Sequence, residues 1–282
     1  MHTDLPSISV VTPSFNQAAY LDATIRSVLG QGYPELEYIV IDGGSTDGSP
    51  AIIESHGPSL AYWCSEPDAG QADAINKGLR RASGDIVAWL NSDDVYLPGA
   101  LKQVGRFFAQ HPEVDLVCGF RLDCNGDLSR RTRSVFPYPS KRAVQHASVV
   151  AQESVFWRRH LIDKIGYLDT SFDHALDWEY WNRMLAHGCR FAVIPRFIGC
   201  FRRHEASKTT TQRDIRDAET KRIHRRYLGR ALTPREVRRA LGSRYWLSYY
   251  LVRTAGRLGL MDSEALARAM LQVGCYLAGD QR

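Results

Sequence analysis

Ile8-Ser9-Val10-Val11-Thr12-Pro13-Ser14-Phe15-Asn16, then Tyr20 to Leu29, then Glu37-Tyr38-Ile39-Val40-Ile41-Asp42-Gly43-Gly44-Ser45-Thr46-Asp47-Gly48-Ser49: this stretch decides the fold class. The first and last pieces are apolar runs that end in turn residues, the pattern of buried strands. Between them Leu21, Ile25, Val28 and Leu29 recur at helical spacing, which predicts an amphipathic helix. Strand, helix and strand make a βαβ unit, which builds a parallel sheet and binds ligands beyond the carboxyl ends of its strands. Farther on, the apolar run Ile86 to Leu90 meets Asn91-Ser92-Asp93-Asp94, placing two adjacent carboxylates at such an edge. A divalent cation favours one or two carboxylates completed by water and substrate phosphates. The competing reading is a solvated turn, since Asp and Ser are turn residues and Pro98-Gly99 follows.

Composition suits an enzyme of this size. The 282 residues suffice for one large α/β domain with an appendage. No apolar run reaches the length of a membrane-spanning helix, and Met1 to Pro6 lacks the layout of a signal peptide, so a cytosolic protein is expected. The six cysteines show neither CxxC nor zinc spacing, which predicts free, mostly buried thiols. Charge is uneven: residues 212–282 hold 15 Lys and Arg against 7 Asp and Glu, while residues 1–211 hold 21 against 24. The shift, near Ser207-Lys208-Thr209-Thr210-Thr211, predicts a body over 1–211 and a basic helical extension over 212–282.

Five stretches in order resemble family 2 glycosyltransferases of GT-A fold: Val11 to Asn16, Asp42 to Gly48, Ser65 to Gly78, Asn91 to Asp94, and Asp177-Trp178-Glu179-Tyr180-Trp181. They span roughly residues 5 to 205, and an ordered set is far more specific than any one of them. The resemblance implies an α/β fold with a single Rossmann-type mixed sheet flanked by helices. It also implies transfer of a sugar from a nucleotide-sugar donor, with UDP the expected nucleotide, to a glycan or lipid-linked acceptor in cell-surface polysaccharide synthesis. By the same resemblance Asp42 contacts the base or ribose of the donor, and Pro13, Asp68, Asp73, Asn76, Ser92 and Asp93 join it as donor-binding residues. Asp42 to Ser45 could instead be only a tight turn that opens a helix. Glu66 and Asp68 could merely stabilise a helix start, and Lys77 is a weaker donor candidate. Asp94 and Asp93 are the metal ligands the resemblance implies, for Mg²⁺ or Mn²⁺, although the sequence carries Asn91-Ser92-Asp93-Asp94 where many relatives have Asp-x-Asp. His204, in Phe201-Arg202-Arg203-His204, either completes the metal sphere or is an exposed loop histidine.

Transfer also needs a base for the acceptor hydroxyl. Asp177 holds the position of the family's catalytic aspartate, although Leu176 replaces the glutamate that often precedes it. Glu179 is the second choice, and a helix N-cap is the structural alternative for Asp177. A single base implies one displacement and inversion at the anomeric carbon. Gln152 to Arg159 resembles the segment that shapes the acceptor site, where Phe156 or Trp157 either stacks on a sugar or belongs to the core. The arginines and aromatics of the tail fit either a contact at the inner membrane face or helices packed on the body. No motif supports nucleic-acid binding. The alternatives are a nucleotide-sugar binding protein without turnover and a nucleotidyltransferase on a related sheet. The latter would show a GxGxxG or Lys-bearing glycine loop, which Pro13 to Asn16 is not.

Overall fold

The computed structural model describes residues 5–129, 131–134, 140–205 and 207–257. In chain order the elements are β1 (Ile8–Ser14), α1 (Ala18–Leu29), β2 (Leu36–Asp42), α2 (Ser49–His56), β3 (Tyr62–Ser65), α3 (Gln71–Arg81), β4 (Ile86–Trp89), β5 (Val95–Tyr96) and α4 (Ala100–Gln110). There follow β6 (Leu116–Asn125), β7 (Arg131–Ser134), α5 (Lys141–His146), β8 (Val155–Arg158), α6 (Leu161–Ile165), α7 (Leu176–Ala186), β9 (Phe191–Arg203), α8 (Lys208–Thr211), α9 (Arg213–Leu228) and α10 (Pro234–Arg257).

The strands form one mixed sheet in the order β3-β2-β1-β4-β8-β6-β9-β5, with β7 paired to β6. β3, β2, β1 and β4 run parallel, with Thr12 opposite Val40 and Val11 opposite Trp89. β8 then pairs antiparallel to β4, with Val87 opposite Trp157. The expected βαβ unit is therefore present, and Ser14, Asp42 and Asn91 emerge along one edge of the sheet. Ligands of α/β folds bind at that edge.

Neighbouring residues of a strand point to opposite faces, so each strand feeds two cores. Val11, Ile39, Ile41 and Trp157 lie in one cluster with Ile75, Leu79 and Trp181. Val10, Tyr38, Val40 and Phe156 lie in the other with Ile25, Leu101 and Phe108. Phe156 and Trp157 are thus both core residues, which removes either as a sugar platform. On the first face Trp89 stacks on Trp181 at 5.3 Å between centroids and meets Trp157 edge-on at 5.5 Å. That aromatic cluster fixes α7 against β4. α3 lies equally close to β1, because a Cβ on Gly78 would sit 2.3 Å from Val11 Cγ1.

The basic tail begins as part of the body. Ile223 of α9 is fully buried in the first cluster. The Glu219 carboxylate accepts the backbone N–H groups of Asp173, His174 and Ala175 at 2.7, 3.0 and 2.7 Å, just ahead of α7. α10 bends at Gly242, whose φ of 76° interrupts the helical backbone. No helix among the described residues is long and apolar enough to cross a membrane.

One expectation about the cysteines is overturned. Cys124 and Cys200 form a disulfide across β6 and β9, leaving Cys64, Cys118 and Cys189 free; Cys275 lies outside the described residues. The two partners are 76 residues apart, and only the parallel pairing of β6 with β9, which sets Cys200 opposite Leu122, brings them together.

Candidate active site

A cavity of about 1080 Å³ opens along the carboxyl edge of β1, β2 and β4. Its lining includes Pro13, Gly43, Asp68 and Asn91 to Asp94, together with Glu153, Asp177 and residues of α10.

Asp42 is 0% exposed. Its Oδ2 accepts from the Ser45 amide at 2.8 Å and the Ser65 hydroxyl at 2.7 Å, and its Oδ1 accepts from the Ser45 hydroxyl at 2.6 Å. The side chain therefore holds the turn shut between β2 and β3, and the turn backbone at Gly43 is what reaches the cavity. A side chain at Gly43 would place its Cβ 2.6 Å from Asp68 Oδ2, so glycine lets the Asp68 carboxylate close on that backbone. Asp68 Oδ1 also accepts from the Gly70 amide at 2.8 Å, which orients the carboxylate at the entry to α3. Asp73 turns to the Ala69 amide and Lys77 binds Glu66 at 3.1 Å. Asn76 is buried, and its amide bonds the Leu168 backbone twice, at 2.9 Å each way. The buried side chains of Asp42 and Asn76 thus support the cavity lining from within the body, while Asp73 remains partly exposed.

The acidic pair lies deeper. Thr24 Oγ1 lies 2.8 Å from the Ser92 carbonyl oxygen and 2.7 Å from that of Asp94, pinning the turn to α1. Asp94 is 1% exposed and its Oδ1 accepts from the Arg202 amide at 2.9 Å. Burial, with the negative charges of Asp93 and Glu153 added, holds the Asp94 carboxyl well above the usual carboxylate range. The Arg202 guanidinium donates to the Gly126 carbonyl at 2.9 Å. His204 is not an exposed loop residue: its side chain is 5% exposed and its Nε2 lies 2.9 Å from Asp93 Oδ2. The two carboxylates offer oxygen ligands of the kind that suit Mg²⁺ or Mn²⁺, and His204 is held on Asp93. A cation there would relieve the repulsion that raises Asp94. Among the described residues no three His, Cys, Asp or Glu side chains converge into a cage made by protein alone. The residues present therefore fit a cation whose other ligands come from a substrate diphosphate and water.

Asp177, which lines the same cavity, lies in the first turn of α7. Ala175 is the N-cap position, so the capping alternative for Asp177 does not hold. Its Oδ1 accepts from the Trp178 amide at 2.7 Å and its side chain is half-buried on the cavity wall. Burial pushes the Asp177 carboxyl up to about 6, and nearby Glu153 adds to the shift. Such a carboxylate is ionised at neutral pH yet basic enough to accept a proton. Glu179 is excluded from that role by its partners: it binds Arg183 and Arg226 at 2.9 Å each and the Tyr227 hydroxyl at 2.8 Å.

Several cavity residues escape a reading of the sequence. Gln71 donates to Asn91 at 2.8 Å, Asn91 to Gln152 at 3.1 Å, and Gln152 to the Trp89 carbonyl at 2.8 Å, a polar chain that ties α3, the acidic turn and the segment before β8 together. Glu153 is buried, with Arg121 Nε 3.7 Å away; Arg121 also approaches Asp123 at 3.1 Å. The stretch Gln152 to Arg159 points to this region in the sequence, but through its aromatics rather than its polar head.

A family model described as glycosyl transferase family 2 matches residues 9–167. An uncharacterised glycosyltransferase of Mycobacterium tuberculosis is 37% identical over 180 residues, covering 63% of this chain and 68% of that one. Among solved structures, residues 1–349 of S. aureus TarS in complex with UDP-GlcNAc superpose with a TM-score of 0.62 at 20% identity, covering 87% of this chain and 72% of that one. The chain spans 43% of a longer TarS structure. The mannosyltransferase PcManGT from Pyrobaculum calidifontis, in complex with GDP-Man and Mn²⁺, matches with a TM-score of 0.62 at 20% identity, over 99% of this chain and 82% of that one. These structural similarities, all at 20% identity or below, are likenesses of fold, and that fold is GT-A.

Proposed function

The chain belongs to glycosyl transferase family 2, and from that premise we propose that it is an inverting, metal-dependent enzyme that moves a sugar from a nucleotide-sugar, UDP-linked, to a glycan or lipid-linked acceptor in cell-surface polysaccharide synthesis. The observation that carries this reading is that one cavity is lined both by Asp93 and the buried Asp94 and by Asp177 with its raised carboxyl.

The donor nucleotide lies along Pro13, the Gly43 backbone, Asp68 and Ser92. Asp93 and Asp94 would hold the divalent cation, with His204 fixing Asp93 through its 2.9 Å contact. When bound, the cation supplies positive charge against the diphosphate that leaves with the broken anomeric bond. Asp177 takes the proton from the acceptor hydroxyl as that oxygen forms the new bond to the anomeric carbon. Attack opposite the leaving group makes an α-linked donor into a β-linked product. Asp42, Asp73 and Asn76 serve the donor site by holding the turn and α3 in place. The nucleotide-sugar complexes of the TarS and PcManGT structures, and the Mn²⁺ in the latter, support the donor and metal assignments. We place the protein in the cytoplasm, with a peripheral contact at the inner membrane face made through the basic residues of the C-terminal extension.

Thermal shift with UDP, GDP, dTDP and CMP, each with and without Mn²⁺, tests the reading. Ligand at 100 times its dissociation constant adds about 2.7 kcal/mol of stability. A Mn²⁺-dependent rise with UDP is expected; no rise with any nucleotide removes the donor and metal roles together.

A further inference from the structure

We propose that the part of the cavity built by α10 and the turn before it is an acceptor subsite for an apolar aglycone, so that the acceptor is an amphiphile presenting its hydroxyl to Asp177. The inference rests on the proposed transfer reaction and adds the chemical class of its acceptor.

The cavity lining is of two kinds. Its donor part has carboxylates, amides and glycine backbone, as described above. From the C-terminal helices and the turn between them the lining takes the apolar Leu232, Val237, Leu241, Tyr245 and Trp246, beside the polar Arg216, Thr220, His224 and Arg238. Leu241 and Tyr245 pack one side against the main core, so the wall is anchored to the body. Trp246 is fixed as well: its indole N–H donates to the Arg238 carbonyl at 3.2 Å, and the Arg238 guanidinium sits 5.7 Å from its ring centre. A free sugar offers mostly hydroxyls, and a wall of this kind would strip them of water without replacing their hydrogen bonds. An alkyl or aryl group has no such cost and gains from losing contact with water.

The wall also leads outward. Arg238 and Trp246 line both the cavity and an adjoining surface groove that runs past Gly242 and Ser243 to Tyr250, flanked by Arg235 and Arg239. Gly242 is where α10 bends, and among the described residues an added side chain there would meet nothing nearby. The groove gives a chain longer than one ring a path out of the cavity, with arginines beside it.

The test titrates methyl, phenyl and octyl β-D-glucopyranoside, below micelle-forming concentrations, into the full chain saturated with UDP and Mn²⁺. A buried methylene tightens binding by about fourfold. We expect octyl to bind at least tenfold tighter than methyl, and Trp246→Ala and Leu241→Gln each to remove most of that difference. Each variant's unchanged UDP and Mn²⁺ thermal shift reports that it is folded and that its donor site is intact. Phenyl matching octyl assigns a compact aromatic aglycone, and octyl exceeding phenyl assigns an extended lipid chain; both support the subsite. Equal binding of methyl and octyl glycosides, or a preference that survives both substitutions, overturns it. Absence of any nucleotide shift with the octyl preference intact refutes the donor reading and leaves the apolar subsite standing.

Discussion

Asp177→Asn separates catalysis from stability in a way that follows from the cavity. Asparagine keeps an oxygen that can accept from the Trp178 amide but cannot take a proton from an acceptor. Burial raises the wild-type carboxyl from 3.8 to about 6, so the folded protein holds this proton more tightly than the unfolded chain does. The sign follows from linkage: wild-type stability falls as pH rises from about 4 through 6, and the loss is complete above 6. Two units at about 1.4 kcal/mol each give an upper value of about 3 kcal/mol, and contact with the open cavity lowers it to about 2. We therefore expect Asp177→Asn to be more stable than wild type by about 2 kcal/mol at pH 8, by about half of that at pH 5, and by nothing below pH 4. Urea unfolding at these pH values measures the difference, and sugar transfer measured alongside should be lost at every pH. A variant that is less stable at pH 8 than wild type, or whose advantage does not grow with pH, refutes the buried-carboxyl argument. Retained transfer refutes the base assignment.

The same carboxyl predicts an acidic limb in the wild-type kcat/KM profile near pH 6, rising with pH, because ionised Asp177 is the active form; a profile flat from pH 5 to 8 argues against it. Asp93→Asn and Asp94→Asn should abolish the Mn²⁺-dependent part of the UDP thermal shift, whereas Asp177→Asn should leave it in place; the reverse pattern exchanges the two roles. Glu219→Ala leaves three amides before α7 without their acceptor, and chemical denaturation should show a loss of about 2 to 4 kcal/mol with transfer reduced, since Asp177 follows two residues later. Gly78→Val drives a side chain into Val11 and should lower stability by about 1 to 3 kcal/mol in the same assay; a neutral result would mean that α3 can move away from β1.

The sequence by itself determined the strand, helix and strand order, the carboxylates at the end of β4 and the aspartate in the first turn of α7. Each is written in local periodicity and in turn chemistry over a few neighbouring residues, and the physical signal is as short as the element it specifies. The family resemblance added roles, and two of the donor residues it names have buried side chains held by partners within the body. Asp42 is taken up by Ser65, 23 residues away, and Asn76 by Leu168, 92 residues away. Only the tertiary structure decided those pairings. It also decided the Cys124–Cys200 bond, the approach of Arg121 to Glu153, the support that Glu219 of α9 gives to α7, and the apolar wall that α10 adds beside Asp177. Strand order and helix packing bring distant residues together, and no local pattern in a single sequence states which strand will neighbour which.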